Sequence, residues 1–308
     1  MTDLAAATAI LREGVGDRLR SDVTIAPLTT FRLGGPAALY LEPDSIDDLR
    51  VVARAIEATA LPVVILGKGS NVLVADAGVD GLVLRLGRGF RWAARDGTAL
   101  TAGGAMPLPA LAGIALTHGL AGLEFGIAIP ATIGGAVRMN AGAHGRTLAA
   151  VAERIDVFDL ATGGARSVVG GDAGFRYRGS GFGPLDLVVG ARLRLAPGDP
   201  VAIRAAMDEA RAWRRETQPI AEPNCGSVFT NPPGDHAARL VDATGCKGMR
   251  VGGARVSEKH ANFIVAGPQA RAADVLELIG RVQSAVEERW GIHLEPEVRL
   301  VGSFGRPS

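Results

Sequence analysis

Glycine is distributed unevenly along this chain, and its distribution limits the possible folds more than any other sequence feature. Of the 42 glycines in 308 residues, 26 lie between Gly67 and Gly190. An average protein contains about 7% glycine, roughly half the fraction found in this chain as a whole. No Gly-X-Y period runs through the sequence, which excludes a collagen triple helix. Because glycine tolerates positive φ and has no Cβ, the enrichment predicts a middle region whose backbone approaches a ligand closely.

Charge and hydropathy are those of an ordinary globular protein. The chain has 33 basic and 32 acidic side chains, with 47% hydrophobic and 21% charged residues. A protein held to nucleic acid by general electrostatics needs a basic face, so the near-zero net charge argues against nucleic acid as a partner. The length suits two or three domains, each with its own core.

Cysteine spacing and apolar runs exclude further classes. Cys225 and Cys246 show no CxxC or Cys/His spacing, so we expect no metal site and no disulfide framework. The longest apolar stretch, 120–137, is interrupted by Glu124 and Pro130, which argues against a membrane span. The N-terminus is typical of an amphipathic helix and not of a signal peptide. We therefore expect a cytoplasmic monomer with no membrane partner.

Apolar periodicity and turn residues predict alternating helices and strands. Ser45, with Asp48 three residues later, predicts the start of a helix inside a βαβ unit over 29–86. The turn Pro197-Gly-Asp-Pro200 predicts the boundary of a separate C-terminal α/β domain. The predicted helices are an N-terminal one and 45–60, 108–122, 201–217, 237–245 and 271–291. The main predicted strands lie within 29–43, 61–76, 81–106, 153–169, 185–197, 261–267 and 297–302.

The first candidate site is the loop Gly67-Lys68-Gly69-Ser70-Asn71, which follows an apolar strand. Its backbone N–H groups, with the side chains of Ser70 and Asn71, could face a phosphate. It is not a dinucleotide fingerprint, because residue 72 is valine and the following segment is strand-like, and it is not a P-loop. The alternative is a tight structural turn.

The second candidate is the segment 130–145, which we expect to be a long loop of small residues. It contains four glycines together with Thr132 and Asn140, and these permit close approach of a ligand to the backbone. Two such loops suit a pyrophosphate better than a single phosphate. A purely structural glycine-rich loop is the alternative.

Three further segments offer reactive side chains. Arg178 follows an aromatic residue, on a strand flanked by turns, and its guanidinium could bind a carboxylate or phosphate. Gly226-Ser227 lies in a constrained turn that would hold the hydroxyl in one orientation, whereas Cys225 is expected to be a buried small residue. Glu297 and Arg299 lie two apart on a strand and share one face. The alternatives are a surface arginine and a surface ion pair.

Taken together, these segments resemble the UDP-N-acetylenolpyruvoylglucosamine reductase family, in its shorter second type. The resemblance covers nearly the whole chain in the family's order. It runs through TTFRLGGPA, GKGSNVL, PATIGGAVRMNAGAHG, FRYRGS, CGSVFTNP, CKGMRVGGARVSEKHANFIV and LEPEVRLVG.

The resemblance implies an α+β fold in two domains. Residues 1–197 would form a vanillyl-alcohol-oxidase-like (PCMH-type) FAD-binding fold with subdomains at about 1–98 and 99–197, and 198–308 an α/β substrate-binding domain. By the family pattern, FAD contacts fall at Gly67, Lys68, Gly69, Ser70, Asn71, Pro130, Thr132, Gly134, Gly135, Asn140 and Gly142.

The resemblance also implies a reaction. NADPH would reduce FAD, and the enolpyruvyl ether of a UDP-sugar would then receive hydride and a proton in peptidoglycan precursor synthesis. By the family pattern, Arg178 and Glu297 flank the substrate carboxylate and Ser227 donates the proton. Tyr177, Asn231 and Arg299 fall at substrate-contact positions.

The chain departs from the family pattern at several positions outside this trio. Thr230 stands where lysine or arginine is usual, so Lys247 or Arg250 would have to supply that charge.

Two alternative functions stay open. A flavin oxidase would react rapidly with oxygen. Against it, no histidine in a flavin-loop position clearly invites covalent attachment of the flavin, although His144 keeps this alternative open. A non-catalytic nucleotide-sugar binding protein would be colourless, without absorbance near 450 nm.

Overall fold

A computed structural model of the chain describes residues 3–305, and its secondary structure follows the predicted alternation closely. The helices are α1 Leu4–Val15, α2 Ile46–Thr59, α3 Leu108–Thr117, α4 Ile133–Arg138, α5 Pro200–Thr217, α6 Ala237–Ala243 and α7 Ala272–Trp290. The strands are β1 Arg20–Thr24, β2 Pro36–Leu41, β3 Val63–Ile65, β4 Val72–Val74, β5 Val79–Leu84, β6 Ala93–Asp96, β7 Ala99–Gly103, β8 Leu120–Ala121, β9 Gly142–Ala143, β10 Arg146–Thr147, β11 Ala152–Asp159, β12 Gly164–Val169, β13 Asp186–Arg194, β14 Ala196–Pro197, β15 Arg250–Val251, β16 Ala254–Val256, β17 Ile264–Ala266 and β18 Arg299–Val301.

The chain divides into two compact units. The first comprises the chain up to residue 21, 39–68 and 81–213, and the second comprises 22–38, 69–80 and the chain from 214 onward. The predicted division into a flavin domain over 1–197 and a substrate domain over 198–308 stays a prediction about function. The units differ from it mainly because two short early segments, 22–38 and 69–80, group with the C-terminal third.

A five-stranded antiparallel sheet is the centre of the first unit, in the order β12-β11-β13-β7-β6. Buried apolar residues of α3 and α4, such as Leu111 and Ile133, share one core with residues of β13, such as Ala191. A second core joins α1 and α2, where Leu11 and Leu49 are fully buried. β3 pairs in parallel with β5, and β5 lies between β2 and β3, the two strands that flank α2.

The second unit is built on the long amphipathic helix α7. Its apolar face, which includes Val275, Leu278 and Val282, packs in one core with Val228 and Phe229. β15, β16 and β17 form an antiparallel sheet, and β18 pairs in parallel with β4. Asp76 accepts hydrogen bonds from the first two backbone N–H groups of α7, at 2.8 and 3.0 Å, and so caps that helix from a distant part of the sequence.

Several predicted elements differ from the structure. The strand expected at the start of 29–43 is absent from the described chain, because Thr29 Oγ1 donates to the Leu33 carbonyl and Arg32 has a φ of +57°, which curl the backbone. The helix predicted over 108–122 ends at Thr117, before the left-handed Gly119. The strand predicted over 297–302 begins only at Arg299.

Within residues 3–305, none of the helices is both long and apolar enough to cross a lipid bilayer.

Candidate active site

The segment 130–145, expected to be a loop, folds in its first half as the helix α4. Thr132 is the N-cap, and its Oγ1 accepts a hydrogen bond from the Gly135 N–H at 3.3 Å. The apolar residues Ile133, Ala136 and Val137 are buried against the core of the first unit. Burial of this apolar face outweighs the low helix propensity of Gly134 and Gly135, so the prediction of an irregular loop is wrong here.

Gly134 of α4 permits close packing against neighbouring backbone. The Ile133 and Gly134 N–H groups donate to the carbonyls of Met106 and Gly104, at 2.8 and 2.9 Å. A Cβ on Gly134 would stand 3.1 Å from the Val188 carbonyl oxygen. These N–H groups are therefore engaged within the protein, and what the segment offers a ligand is a surface of small residues.

Within the first unit the two predicted glycine segments meet at Gly67 and Thr132. A Cβ on Gly67 would stand 2.9 Å from Thr132 Oγ1, and one on Gly135 would stand 3.5 Å from the same atom. Pro130 and Thr132 are both half-buried, and Lys68 is exposed. Two of the residues that the family pattern assigns to FAD, Gly67 and Thr132, therefore lie side by side.

The rest of the first glycine loop belongs to the second unit. Gly69 has a φ of +68°, its carbonyl accepts the Thr30 N–H at 3.0 Å, and a Cβ at this position would overlap the Leu28 carbonyl. Asn71 Nδ2 donates to the Glu297 carbonyl at 3.1 Å, and the Asn71 carbonyl accepts the Arg299 N–H at 3.1 Å. Asn71 therefore fixes the backbone on both sides of Val298.

Arg178 lies in a tight turn. The sequence had predicted a strand here, and that prediction is wrong. Arg176 and Gly179 exchange backbone hydrogen bonds of 3.0 and 3.1 Å around Tyr177 and Arg178, whose φ is +55°. Arg178 Nη1 donates to the Gly142 carbonyl at 3.2 Å, which joins the turn to the end of the second glycine segment. The Tyr177 ring is exposed, with its centroid 5.3 Å from the guanidinium carbon of Arg178.

Asn140 joins the same two segments. Its Nδ2 donates to the Arg176 carbonyl at 3.1 Å, and its Oδ1 accepts the Ala149 N–H at 3.0 Å. The residue is buried and has a φ of +41°. Its amide therefore holds the turn that carries Arg178.

Ser227 lies between two anchoring points in the second unit. On one side, Gly226 has a φ of +81° and its N–H donates to Asn224 Oδ1 at 2.9 Å. On the other side, the Val228 N–H donates to the Asn262 carbonyl at 2.9 Å. This confirms the constrained turn that the sequence predicted around Ser227.

Glu297 lies on the segment beside Ser227. The Glu297 N–H donates to the Val228 carbonyl at 2.7 Å, and the Thr230 N–H donates to the Glu295 carbonyl at 2.9 Å. An isolated antiparallel bridge joins Phe229 and Pro296 between them. The second unit thus brings together Ser227, Glu297 and the 69–71 loop, although these lie far apart in the sequence.

The predicted substrate contacts Asn231 and Arg299 differ in their surroundings. Asn231 Oδ1 accepts the Ala237 N–H at 3.0 Å, at the first residue of α6. Arg299 is exposed. Of the two cations considered as a substitute for Thr230, Lys247 forms an ion pair of 2.7 Å with Asp242, whereas Arg250 is exposed on β15.

Cys225 is a buried small residue, as the sequence predicted. It is 2% exposed, and burial, with a smaller contribution from the charge of Glu297, raises the pKa of its thiol. A thiol held protonated is a poor nucleophile. In the part of the chain that the structure describes, no three His, Cys, Asp or Glu side chains cluster as metal ligands would.

Sequence reasoning missed Asn262, whose side chain bonds the backbone next to Ser227. Its amide pairs with both the N–H and the carbonyl of Phe229. The signal that could have found it is an asparagine inside the apolar run ANFIVAG. The apolar pattern of this run predicted only a strand. A polar amide in such a run must find buried partners.

Comparison with known proteins decides the family. Residues 218–301 match the C-terminal domain of UDP-N-acetylenolpyruvoylglucosamine reductase, and residues 37–168 match an FAD binding domain. UDP-N-acetylenolpyruvoylglucosamine reductase 2 of Symbiobacterium thermophilum is 46% identical over 286 residues, which are 92% of each chain. The chain belongs to the UDP-N-acetylenolpyruvoylglucosamine reductase family.

Further relatives and solved structures support the same family assignment. The UDP-N-acetylenolpyruvoylglucosamine reductase of Rhodopseudomonas palustris is 43% identical over 302 residues, which are 97% of each chain. The crystal structure of the reductase from Thermus caldophilus superposes with a TM-score of 0.80 at 37% identity, covering 92% of this chain and 99% of that one. Berberine bridge enzyme in complex with (S)-reticuline has a TM-score of 0.50 at 13% identity, covering 63% and 44%, and shares the fold alone.

Family membership confirms several predictions at once. The α+β class with a PCMH-type FAD-binding fold is confirmed, as is the assignment to the oxidoreductases of this reductase family. FAD as the cofactor is confirmed at the level of the family, since the N-terminal match is to an FAD binding domain. The roles of individual residues stay predictions.

Proposed function

We propose that this chain reduces the enolpyruvyl group of UDP-N-acetylglucosamine enolpyruvate to give UDP-N-acetylmuramate, with FAD bound and NADPH as the reductant. The observation that carries the proposal is the meeting of Ser227 and Glu297 on adjacent segments of the second unit, in a chain of this family. The reaction adds a hydride and a proton across a carbon–carbon double bond. The predicted cytoplasmic location and monomeric state stay predictions.

The residues of the first unit fit FAD at the contact between Gly67 and Thr132. A Cβ on Gly67 would fill the space in front of Thr132, so only glycine leaves that surface open to a pyrophosphate. We assign the remaining predicted contacts of the two glycine segments to FAD as well, from the family pattern. When bound, FAD supplies the hydride that is added to the terminal carbon of the enolpyruvyl group.

Arg178 and Glu297 are proposed to flank the substrate carboxylate. Negative charge develops at the carbon that bears this carboxylate, which gives the substrate enolate character. A guanidinium has fixed positive charge and a planar set of donors, so Arg178 would stabilise this charge and orient the carboxylate. The turn 176–179 and the bond to the Gly142 carbonyl hold the Arg178 backbone and head group, which lowers the cost of ordering this side chain.

Ser227 is proposed to donate the proton that completes the addition. Its O–H bond breaks as a new C–H bond forms at the carbon bearing the carboxylate, and water later restores the hydroxyl proton. Serine is a weak acid in water, but an enolate is strongly basic, and a fixed hydroxyl requires little reorganisation. The constrained turn at Gly226 and the buried strand-like segment after it support this role.

The first test is substrate-dependent NADPH oxidation. The purified protein is expected to absorb near 450 nm, to be reduced anaerobically by NADPH, and to turn over only when the enolpyruvyl substrate is present. A colourless protein that does not bind FAD would contradict the proposal in favour of a binding protein. Rapid reoxidation by oxygen would favour a flavin oxidase.

Ser227→Ala separates the two halves of the reaction. We expect reduction of the flavin by NADPH within about twofold of the wild type, and substrate-dependent reoxidation slower by about 10²–10⁴-fold, the usual contribution of a positioned general acid. Stopped-flow absorbance near 450 nm measures both steps. Ser284→Ala, an exposed serine on α7, is the matched control and should leave both unchanged. Unchanged reoxidation in Ser227→Ala would refute the assignment of the donor.

A further inference from the structure

We propose that Asn262 is a positioning residue that fixes the Ser227 hydroxyl for proton transfer. The inference rests on the proposed function, because it gives Asn262 a role only through Ser227. Asn262 is 4% exposed and lies two positions before the first residue of β17. Four hydrogen bonds connect its side chain and backbone to neighbouring residues.

The side-chain amide of Asn262 pairs with one residue of the segment that follows Ser227. Its Oδ1 accepts the Phe229 N–H at 2.9 Å, and its Nδ2 donates to the Phe229 carbonyl at 2.8 Å. The Asn262 carbonyl also accepts the Val228 N–H at 2.9 Å. One asparagine therefore replaces a neighbouring strand along residues 228–229, which start immediately after Ser227.

The other edge of the same segment holds Glu297. The Val228 carbonyl accepts the Glu297 N–H at 2.7 Å and the Val298 N–H at 3.4 Å. Residues 228–229 are therefore held on one edge by Asn262 and on the other by the segment that carries Glu297. Loss of the Asn262 amide would leave one edge unsupported and would let the Ser227 hydroxyl shift from its position.

Asn262 is itself held in place by His260. The Asn262 N–H donates to His260 Nδ1 at 3.2 Å, and the His260 ring packs edge-on against Phe263 with centroids 4.7 Å apart. Burial and, to a smaller extent, Lys247 lower the pKa of His260, which keeps the ring neutral and able to accept at Nδ1. This bond holds the backbone of Asn262, from which the side-chain amide reaches Phe229.

A double-mutant cycle tests the inference. Asn262→Ala removes both amide bonds to Phe229, and we expect reoxidation by the enolpyruvyl substrate to slow by about 10²-fold, the cost of displacing a reacting group by about 1 Å. Flavin reduction by NADPH should stay within about twofold. In the Ser227→Ala background, Asn262→Ala should produce no further loss, because the hydroxyl that it positions is already absent.

A second readout needs neither cofactor nor substrate. Amide hydrogen exchange at Val228 and Phe229 in the apoprotein should quicken in Asn262→Ala, while exchange elsewhere in the second unit stays unchanged. Asp76→Ala is the matched control, since it also removes two side-chain bonds to backbone N–H groups of this unit, at the start of α7. It should alter neither exchange at 228–229 nor reoxidation. If Asn262→Ala does not fold, Asn262→Ser, which retains one polar group, takes its place.

The outcomes are distinct. Equal losses with and without the Ser227 hydroxyl, or unchanged reoxidation in the Asn262 variants, would overturn the positioning role alone. No effect of Ser227→Ala would overturn the proposed proton donor together with the positioning role. A loss confined to the background with Ser227, with quickened exchange at 228–229, supports both.

Discussion

At the scale of single residues, left-handed backbone conformations concentrate near Arg178. Asn140, His144 and Arg178 all have positive φ, at +41°, +52° and +55°. For residues with a Cβ, such a conformation costs of order 1–3 kcal/mol and persists only where the surroundings fix it. Here the Asn140 amide and the bond from Arg178 to Gly142 provide that fixation. The strain is consistent with an arginine held ready for a ligand.

Cys225 provides a residue-scale prediction. Because burial keeps its thiol protonated, and Cys246 is buried with its thiol pKa raised by burial as well, neither should react with Ellman's reagent in the native protein at pH 8. Both of the chain's two cysteines should react after denaturation. Cys225→Ala should leave turnover within about twofold while costing about 1 kcal/mol of unfolding free energy through the cavity formed. Rapid native labelling, or loss of turnover in this variant, would mean that the thiol is reactive.

At the scale of secondary-structure elements, the start of α2 shows how caps and charge combine. Ser45 Oγ accepts the Asp48 N–H, and Asp48 accepts the Ser45 N–H in return, which forms a capping box at the helix start that the sequence predicted. Arg18 adds two bonds to the Asp48 carboxylate, at 2.6 and 2.7 Å. This bidentate pair connects the N-terminal end of α2 to the residues after α1.

Asp48→Asn should make stability less dependent on acid pH. The hydrogen bonds from Arg18 are the largest cause of a lowered Asp48 pKa, so the folded state binds this proton less readily than the unfolded state. The stabilisation is full above the unfolded pKa of about 4 and is lost as pH falls through the folded value. At pH 7 the variant should lose about 1.5–3 kcal/mol of unfolding free energy, towards the lower end because Arg18 is 45% exposed.

Asp47→Asn on the same helix is the matched control for urea unfolding at pH 7 and below 4. Asp47 pairs with Arg50 at 2.5 Å, but both side chains are exposed, so the change should be within about 0.5 kcal/mol at every pH. The loss in Asp48→Asn should shrink as the pH falls below 4. A loss that stays constant across this range would mean that the carboxylate charge does not contribute.

At the scale of the whole molecule, the sequence predicted the long amphipathic elements well. α2, α5 and α7 follow apolar periodicity, and turn or cap residues such as Ser45 and Gly291 mark their ends. The helix α4 was missed because its stability comes from burial of Ile133, Ala136 and Val137 and not from local propensity. The turn at 176–179 depends on backbone bonds that no residue pattern indicates.

The candidate site was predictable in its residue types and less so in its arrangement. Ordered motifs identified Ser227, Glu297 and the glycine segments, and the second unit does bring Ser227, Glu297 and Asn71 together. The sequence could not show that Asn71 and Asn262 bind backbone beside Glu297 and Ser227, because such bonds join segments far apart in the chain. Pairing of this kind depends on the tertiary fold and not on local spacing.

FAD binding should raise the thermal stability of the whole protein, and the size of this increase should depend on the residue at position 67. A ligand that binds only the folded state contributes about 2.7 kcal/mol at 100 times its Kd, which raises the apparent melting midpoint of the apoprotein when FAD is added. In Gly67→Val the branched side chain would occupy the space before Thr132, so the FAD-induced rise should disappear. Fluorescence-monitored FAD titration and calorimetry of each apoprotein, with and without FAD, measure this.

Gly280→Ala is the control for the effect of replacing a glycine. A Cβ at Gly280 on α7 meets no other atom within 4 Å, so the change should stabilise apoprotein and FAD-bound protein alike, by about 0.5–1 kcal/mol from helix propensity. The two variants then distinguish a local effect on the helix from an effect on FAD binding. Only Gly67→Val should change the difference between the melting midpoints measured with and without FAD. A full FAD-induced rise in Gly67→Val would place the pyrophosphate elsewhere, and the assignment of the 67–71 loop to FAD would have to be abandoned.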